Sequence, residues 1–348
     1  MKYAKSFSQI ISPSGNYKES IVALLRSKII GTGGYLPEKI MTNNDLEKIV
    51  DTSDAWITER SGIKKRHYIA DNQATSDMAV IAATRAIEAS GLDKNDIDMI
   101  ICATTTPDLI FPATASIVQR KLGIDNHCPA FDVQAVCAGF IFALNTADKY
   151  IQAGDAKNIL VIGAESLSRI LDFTDRTTCV LFGDGAGAFV LSATEGKGDN
   201  SDTGILSTAL HTKGALNHIL KCAGGTGTFE NQFGYLQMEG KEVFKAAVTY
   251  LTEVMFETLE KAGLSGKDID YVVPHQANQR IMTATAKKIG VSTDAVISTI
   301  ADHGNTSAAS IPLAFDVAVR DGRIQKDHLV LVEAIGGGMS WGGALIRI

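Results

Sequence analysis

Cys137 is the side chain best placed to do covalent chemistry. It lies in Phe131-Asp132-Val133-Gln134-Ala135-Val136-Cys137-Ala138-Gly139-Phe140, where a strand-like segment runs into small residues and a helix is predicted to begin at about the cysteine. A thiol there faces free N–H groups and the positive end of the helix dipole, which favours the thiolate that a nucleophile needs. Ala138 and Gly139 leave the approach open to a carbonyl. Taken alone, the pattern suits a buried structural thiol at least as well.

Three further segments carry polar groups that such a nucleophile would use. His275 and Asn278 occur in Val272-Val273-Pro274-His275-Gln276-Ala277-Asn278, at the end of another strand-like run, where α/β proteins collect ligands. Asn305 sits in His303-Gly304-Asn305-Thr306-Ser307-Ala308-Ala309-Ser310, a run of small polar residues opening the next helix. Gly336-Gly337-Gly338 closes a further strand and can offer a backbone N–H to an oxyanion. Each is weak by itself, since a lone histidine is more often structural and glycine triplets are usually turns. Their common place at strand ends is the stronger signal. His211, His218 and His303 lack that support and read as structural.

The elements that must position these residues come in two similar sets. Gly91-Leu92-Asp93-Lys94-Asn95-Asp96-Ile97-Asp98-Met99-Ile100-Ile101 reappears as Gly263-Leu264-Ser265-Gly266-Lys267-Asp268-Ile269-Asp270-Tyr271-Val272-Val273. An amphipathic helix precedes each copy, Met78 to Glu88 and Val243 to Lys261, and an apolar run reading as a buried strand follows. Asn158 to Gly163 then matches His328 to Glu333, and each leads through a glycine-rich turn to a last strand, Ala188–Leu191 and Ala344–Ile348. After Cys137, the stripe Phe140, Ile141, Leu144 and Ile151 predicts a helix that Gly154 stops. Two halves of alternating strands and helices imply an α/β fold with mostly buried sheets.

Between the halves, Ala193 to Ser201 is polar and reads as a surface connection, and Cys222 to Gln232 as a Gly/Thr-rich loop. The expected organisation is an N-terminal arm over residues 1–27, a nucleophile-bearing half over 28–195, and a second half over 196–348. The arm is basic and serine-bearing; it suits a transit peptide or a retained arm, and the retained arm is preferred.

Composition excludes several classes. A net charge of −6 argues against a nucleic-acid binder. Five cysteines without C-x-x-C spacing predict neither a disulfide framework nor a zinc site, so no metal is expected and the cytoplasm is the expected location. No stretch is long and apolar enough to span a bilayer, so no membrane role is expected. Gly183-Asp184-Gly185-Ala186-Gly187-Ala188 matches a dinucleotide fingerprint, but Phe189-Val190-Leu191-Ser192 after it reads as a strand, where that motif needs a helix.

Seven motifs together resemble the β-ketoacyl-acyl-carrier-protein synthase III family of thiolase-like condensing enzymes. They are Ile29-Ile30-Gly31-Thr32-Gly33, Thr52-Ser53-Asp54-Ala55-Trp56, the Cys137 segment, Phe182-Gly183-Asp184-Gly185-Ala186-Gly187, Pro274–Asn278, His303–Ser307 and Gly336–Gly338. The resemblance covers about Lys28 to Ile348. It implies a duplicated thiolase-like fold, layered α-β-α-β-α with two mixed sheets, and a homodimer. It further implies an acyltransferase that opens fatty acid synthesis by joining acetyl-coenzyme A to malonyl-acyl-carrier protein, releasing carbon dioxide and coenzyme A. No permanently bound cofactor is implied; the coenzyme A thioester is a substrate.

By the same resemblance Cys137 is the acylated nucleophile, His275 and Asn305 the decarboxylation pair, and the N–H groups of Cys137 and Gly338 the oxyanion hole. Trp56, Arg60, Arg176 and Arg280 correspond to the coenzyme A site, and Phe111 to a residue crossing the dimer into the partner's acyl pocket. Arg280, Lys287 and Lys288 share a helical face by spacing and suit an acidic carrier protein. Phe111 and Ile335 suggest a short acyl pocket, with branched starters still open. Lys241 stands where a smaller polar residue is expected near the pantetheine channel, and the arm has no counterpart. A degradative thiolase would need a second cysteine near the C-terminus, yet the last is Cys222. Other condensing enzymes of this fold, or an acyl-binding or hydrolytic protein, are the competing readings.

Overall fold

The structure, a computed structural model, describes residues 24–225, 227 and 234–348. Residues 1–23 of the expected arm, and residues 226 and 228–233 of the expected Gly/Thr-rich loop, lie outside the described residues.

Nine strands build two sheets. The first sheet holds β1 (Leu24–Tyr35), β2 (Met99–Ala103), β3 (Ala130–Val133), β4 (Asn158–Glu165) and β5 (Gly185–Gly196), in the order β1-β5-β4-β2-β3. The second holds β6 (Gly204–Thr212), β7 (Tyr271–Pro274), β8 (Leu329–Gly336) and β9 (Ser340–Arg347), in the order β6-β9-β8-β7. The two orders repeat one another. A strand pairs in parallel with the next (β2 with β4, β7 with β8), which pairs antiparallel with the hairpin strand (β5, β9), and β1 or β6 closes the edge. Even β3 has a vestige opposite it, a single parallel bridge from Val272 to Val296.

The helices that position the site are α1 (Asp54–Ser61), α2 (Thr75–Ser90), α3 (Thr114–Leu122), α4 (Gly139–Ala153), α5 (Gly240–Lys261), α6 (Gln279–Lys288) and α7 (Ser310–Arg320). Helices α2 and α3 cover the outer face of the first sheet, and α5 that of the second. Helices α4 and α7 lie between the sheets, giving five layers, α-β-α-β-α. The two middle helices are apolar nearly all round because both faces are covered: Phe140, Ile141, Leu144 and Ile151 of α4, and Ile311, Ala314, Phe315 and Ala318 of α7, are buried. Phe140, Phe189 and Phe315 pack through the centre, the first pair edge-to-face and the second tilted, with ring centroids 4.9 and 4.8 Å apart. Truncating one of them to alanine should cost about 3–5 kcal/mol.

Two expectations shift. The polar run from Ala193 is strand as far as Gly196, where it pairs with Leu24–Ser27 of β1; only the residues beyond it connect the sheets. Its polarity reflects the half-buried end of the β1–β5 pair rather than a loop. Correspondingly, β1 starts at Leu24, four residues before Lys28, and Ser27 is buried with its hydroxyl donating to Asp148 at 2.8 Å. The glycines of 183–188 lead into β5, so no helix follows them; Asp184 is buried and accepts from Ile69 and Ser168.

Candidate active site

Cys137 does not open the long helix. It sits one turn earlier, in a 3-10 turn over Val136–Ala138, with α4 starting at Gly139. Val136 adopts φ 50°, a conformation that costs a β-branched residue energy and marks a forced turn at the strand end. The end of β8 presses on that turn from the other sheet. A Cβ on Gly336 would lie 2.6 Å from the Cys137 nitrogen and 2.8 Å from the Ala135 carbonyl, so only glycine fits.

The thiol is buried, and burial pushes its pKa up to about 12; a hydrogen bond with Ser307 opposes this, while the nearby Glu165 carboxylate adds to it. The expectation of a thiolate favoured by the helix N-terminus is therefore corrected for the substrate-free chain: desolvation outweighs the dipole, and Cys137 rests as a thiol.

His275 follows the last residue of β7 and continues the ladder, its N–H donating to the Glu333 carbonyl at 2.8 Å. Gln276 straps the turn, donating to the Pro274 and Ile297 carbonyls and accepting from the Thr299 N–H. The His275 Nδ1 lies 2.6 Å from the Ser310 hydroxyl, which also accepts the Gln276 N–H at 3.3 Å. No other acceptor for that hydroxyl proton is present among the described residues, so it goes to Nδ1 and the ring hydrogen resides on Nε2. Burial holds the imidazole down to about 3, so it is a neutral donor.

Asn305 is buried in a short connection whose backbone is held at both ends: its N–H donates to Leu181 and its carbonyl accepts from Gly183, each across 2.8–2.9 Å. Its side-chain oxygen accepts the Ser307 N–H at 2.9 Å, which leaves the amide NH2 as the free, donating end. Segment 305–310 thus packs against the Val136–Ala138 turn and is tied to His275 through Ser310. It approaches β4 at Gly163, where a Cβ would stand 2.3 Å from the Ala308 carbonyl.

A cavity of about 550 Å³ is lined among others by Trp56, Arg60, Lys241, Phe244, Asn278 and Arg280. Ser53 caps α1 by accepting the Trp56 N–H, which is why the Ser-Asp-Ala-Trp run presents its indole there. The Arg60 and Arg176 guanidinium groups lie 4.8 and 5.4 Å from the Trp56 ring, and Arg280 lies 5.7 Å from Phe244. Asn278 caps α6 and donates to the Arg60 carbonyl at 2.9 Å, so it couples the two arginine-bearing helices rather than reaching the nucleophile. Arg280, Lys287 and Lys288 are exposed on α6, whose Ile281, Met282, Thr285 and Ala286 face inward.

A second cavity, about 320 Å³, lies next to the nucleophile's turn and is lined by Thr105, Val136, Leu167, Leu220, Leu236 and Gly337 among others. Ile335 does not line it; it packs with Ala209, Met339 and Trp341 under α5. Phe111 is 83% exposed, next to exposed Leu109 and Ile110, and does not reach the chain's own cavity. Gly338, at φ 72°, follows β8 and borders a surface hollow with Ala135, Val136 and Ser340. Among the described residues no cluster of His, Cys, Asp or Glu is arranged to hold a metal, and no helix is long and apolar enough to cross a membrane.

Sequence reasoning missed Glu165, Ser310 and the close approach of Gly336. The signal for Glu165 was available: an acid ending the otherwise apolar strand Asn158–Glu165.

Residues 131–214 match the family described as 3-oxoacyl-[acyl-carrier-protein (ACP)] synthase III, and residues 259–348 match its C-terminal counterpart. The chain is 55% identical over 321 residues to a β-ketoacyl-[acyl-carrier-protein] synthase III of Thiobacillus denitrificans, covering 92% of this chain and 99% of the relative. It is 56% identical over 326 residues to that of Rhodospirillum rubrum, covering 93% and 99%. Among solved structures, 3-oxoacyl-[acyl-carrier-protein] synthase III from Aquifex aeolicus superposes with a TM-score of 0.86 at 47% identity, covering 92% of this chain and all of the other. The priming β-ketosynthase of the R1128 polyketide pathway superposes with a TM-score of 0.87 at 32% identity, covering 93% and 96%.

Proposed function

The chain belongs to the β-ketoacyl-[acyl-carrier-protein] synthase III family, and from that premise we propose how its residues perform the family's reaction. The enzyme is an acyltransferase that initiates fatty acid synthesis by condensing acetyl-coenzyme A with malonyl-acyl-carrier protein. Cys137 attacks the thioester carbonyl, and the oxyanion is held by the N–H groups of Cys137 and Gly338. Coenzyme A leaves, and the malonyl carrier enters by the mouth lined by Trp56, Arg60 and Arg280. His275 Nε2–H and the Asn305 NH2 then donate to the malonyl thioester oxygen. Loss of carbon dioxide places negative charge on that oxygen, so preorganised neutral donors lower the barrier. The enolate attacks acetyl-Cys137 and yields acetoacetyl-acyl-carrier protein.

The observation that carries this reading is the pairing of a buried, neutral imidazole, its Nδ1 taken by Ser310, with an amide whose oxygen is already engaged by Ser307. Such a pair stabilises charge and cannot serve as a base. Coupled assay of carbon dioxide release and acetoacetyl-carrier formation tests it; equal yields are expected, and carrier hydrolysis without a carbon–carbon bond would refute it.

Trp56 flanked by Arg60 and Arg176 suits the adenine and phosphates of coenzyme A, with Lys241 adding a cation at the mouth. The basic face of α6 suits an acidic carrier. Exposed Leu109, Ile110 and Phe111 form an apolar projection that a second copy of the chain would cover, which supports a homodimer with Phe111 entering the partner's acyl cavity. The working location is the cytoplasm, where the carrier and coenzyme A thioesters are found.

A further inference from the structure

Asn305 serves as a donor only while its amide keeps one of two nearly isosteric orientations. Turned over, the side chain would aim its oxygen at the enolate and repel the charge. Leu181 and Gly183 pin its backbone, but its side-chain oxygen is held by the Ser307 N–H, at 2.9 Å. The orientation of the donor therefore depends on what holds Ser307.

Ser307 sits at φ 50°, in the left-handed region that a serine adopts under constraint. Val136 and Met339 share that value, and each of the three lies within two residues of Cys137, Asn305 or Gly338. Only Ser307 among them carries a hydroxyl. It donates to Oε1 of Glu165 at 3.1 Å, joining residues 142 positions apart. Glu165, the last residue of β4, is fully buried. Its Oε2 accepts from the Thr105 N–H at 3.0 Å and the Thr106 hydroxyl at 2.8 Å, and the Thr105 hydroxyl bridges both oxygens at 2.9 Å. Those donors follow the end of β2, so the carboxylate is fixed to the first sheet and still has an oxygen for Ser307. A carboxylate suits this place because it accepts from several donors at once, and strongly. The segment meets β4 a second time at Gly163, where a Cβ would stand 2.3 Å from the Ala308 carbonyl.

We propose that Glu165 is a positioning residue for decarboxylation, acting through Ser307 to hold the Asn305 amide with its NH2 toward the substrate. This rests on the reading of Asn305 as an enolate donor and deepens it by naming what fixes that donor. No proton moves along the chain. The carboxylate anchors the Ser307 hydroxyl, the hydroxyl holds the strained turn, and the turn presents its N–H to Asn305 Oδ1. With that oxygen occupied, the NH2 is the end left for the thioester oxygen. The first half thereby sets the geometry of a donor that belongs to the second. His275 is held separately, through Ser310 on Nδ1, so the two donors have independent supports.

The test is decarboxylation of malonyl-acyl-carrier protein, followed as carbon dioxide release, in a Cys137→Ala background that removes acylation. Glu165→Gln and Ser307→Ala should each lower kcat by about tenfold or more, short of the loss expected for removing the donor itself, with KM within about threefold. Ser307→Ala keeps the backbone N–H and removes only the hydroxyl, so it breaks the same link at its other end. Combined, the two changes should lower kcat no further than the larger one alone, because both act through one chain of contacts. Added to Asn305→Ala, Glu165→Gln should alter decarboxylation by less than about twofold; added to His275→Ala, it should keep its full effect.

A carboxylate that only supports the fold would slow both backgrounds alike, and that result would overturn the proposal. So would decarboxylation by Glu165→Gln near the unaltered rate. Should Glu165→Gln fail to fold, Ser307→Ala in the same two backgrounds decides. If Asn305→Ala itself left decarboxylation unchanged, the reading of Asn305 as an enolate donor would be refuted first, and the positioning role with it.

Discussion

The two halves share a strand order but contribute opposite chemistry. The first half ends its central strand β4 with Glu165 and its edge strand β3 with the turn to Cys137, so it supplies the proposed nucleophile. The second half follows β7 with His275 and ends its central strand β8 with Gly336, and it supplies the donors proposed for the enolate. Duplication brought four strand ends to one place; divergence at those ends divided nucleophile handling from enolate handling. The second half also gives up a side chain at Gly336 so that its backbone can approach the Cys137 turn. A common architecture therefore dictates where chemistry happens, and the last residue of each strand dictates which chemistry.

That division can be broken from either side. Cys137→Ala should abolish acetylation and lower condensation by about 10⁴-fold or more, while malonyl-carrier decarboxylation continues; intact mass and carbon dioxide release measure the two. Next, His275→Ala or Asn305→Ala should lower decarboxylation by about 10²–10³-fold and leave acetylation within a few-fold, the loss expected for one oxyanion donor. If His275→Ala blocked acetylation as strongly as Cys137→Ala, the division would be wrong.

A smaller effect is expected at the mouth. Trp56→Ala should raise the KM for acetyl-coenzyme A by about tenfold, with little change for acetyl-pantetheine, which lacks the adenine and phosphates it would hold.

The smallest effect is expected at a buried carboxylate of the second half. Glu333 is buried with one oxygen unpartnered, and burial raises its pKa to about 8. Between its ordinary value near 4.5 and about 8, the folded chain holds a proton that the unfolded chain releases, so stability from this group is full at low pH and is lost as pH rises. Glu333→Gln should therefore raise Tm by a few degrees near pH 9 and leave it unchanged near pH 4.

Much of this was legible from residues alone. The repeated Gly-Leu segments predicted β2 and β7 because buried parallel strands must be apolar on both faces. The second repeat was found one residue out of step: the ladders pair Met99 with Ile159 and Tyr271 with Val330, so Ile159, not Leu160, answers Val330. Apolar runs look alike at neighbouring registers, and only strand pairing distinguishes them. The resting state of Cys137 was illegible because dipole and burial act in opposite directions, and burial depends on what the other sheet places against the turn. Glu165 was visible as an acid at a strand end, but its contact with Ser307 joins residues 142 positions apart. The cavity beside the Cys137 turn was likewise hidden, since Leu167, Leu220 and Leu236 carry no pattern that separates a pocket wall from a core.

The central claim is that Cys137 carries the acyl group between two substrates. The direct measurement is intact mass and a peptide map after incubation with acetyl-coenzyme A, before and after malonyl-acyl-carrier protein is added. One acetyl group on Cys137, lost on the second addition with stoichiometric appearance of acetoacetyl-carrier, is the result predicted. An unmodified Cys137 after trial with a panel of coenzyme A esters, or an acetyl group that malonyl carrier does not discharge, would contradict it.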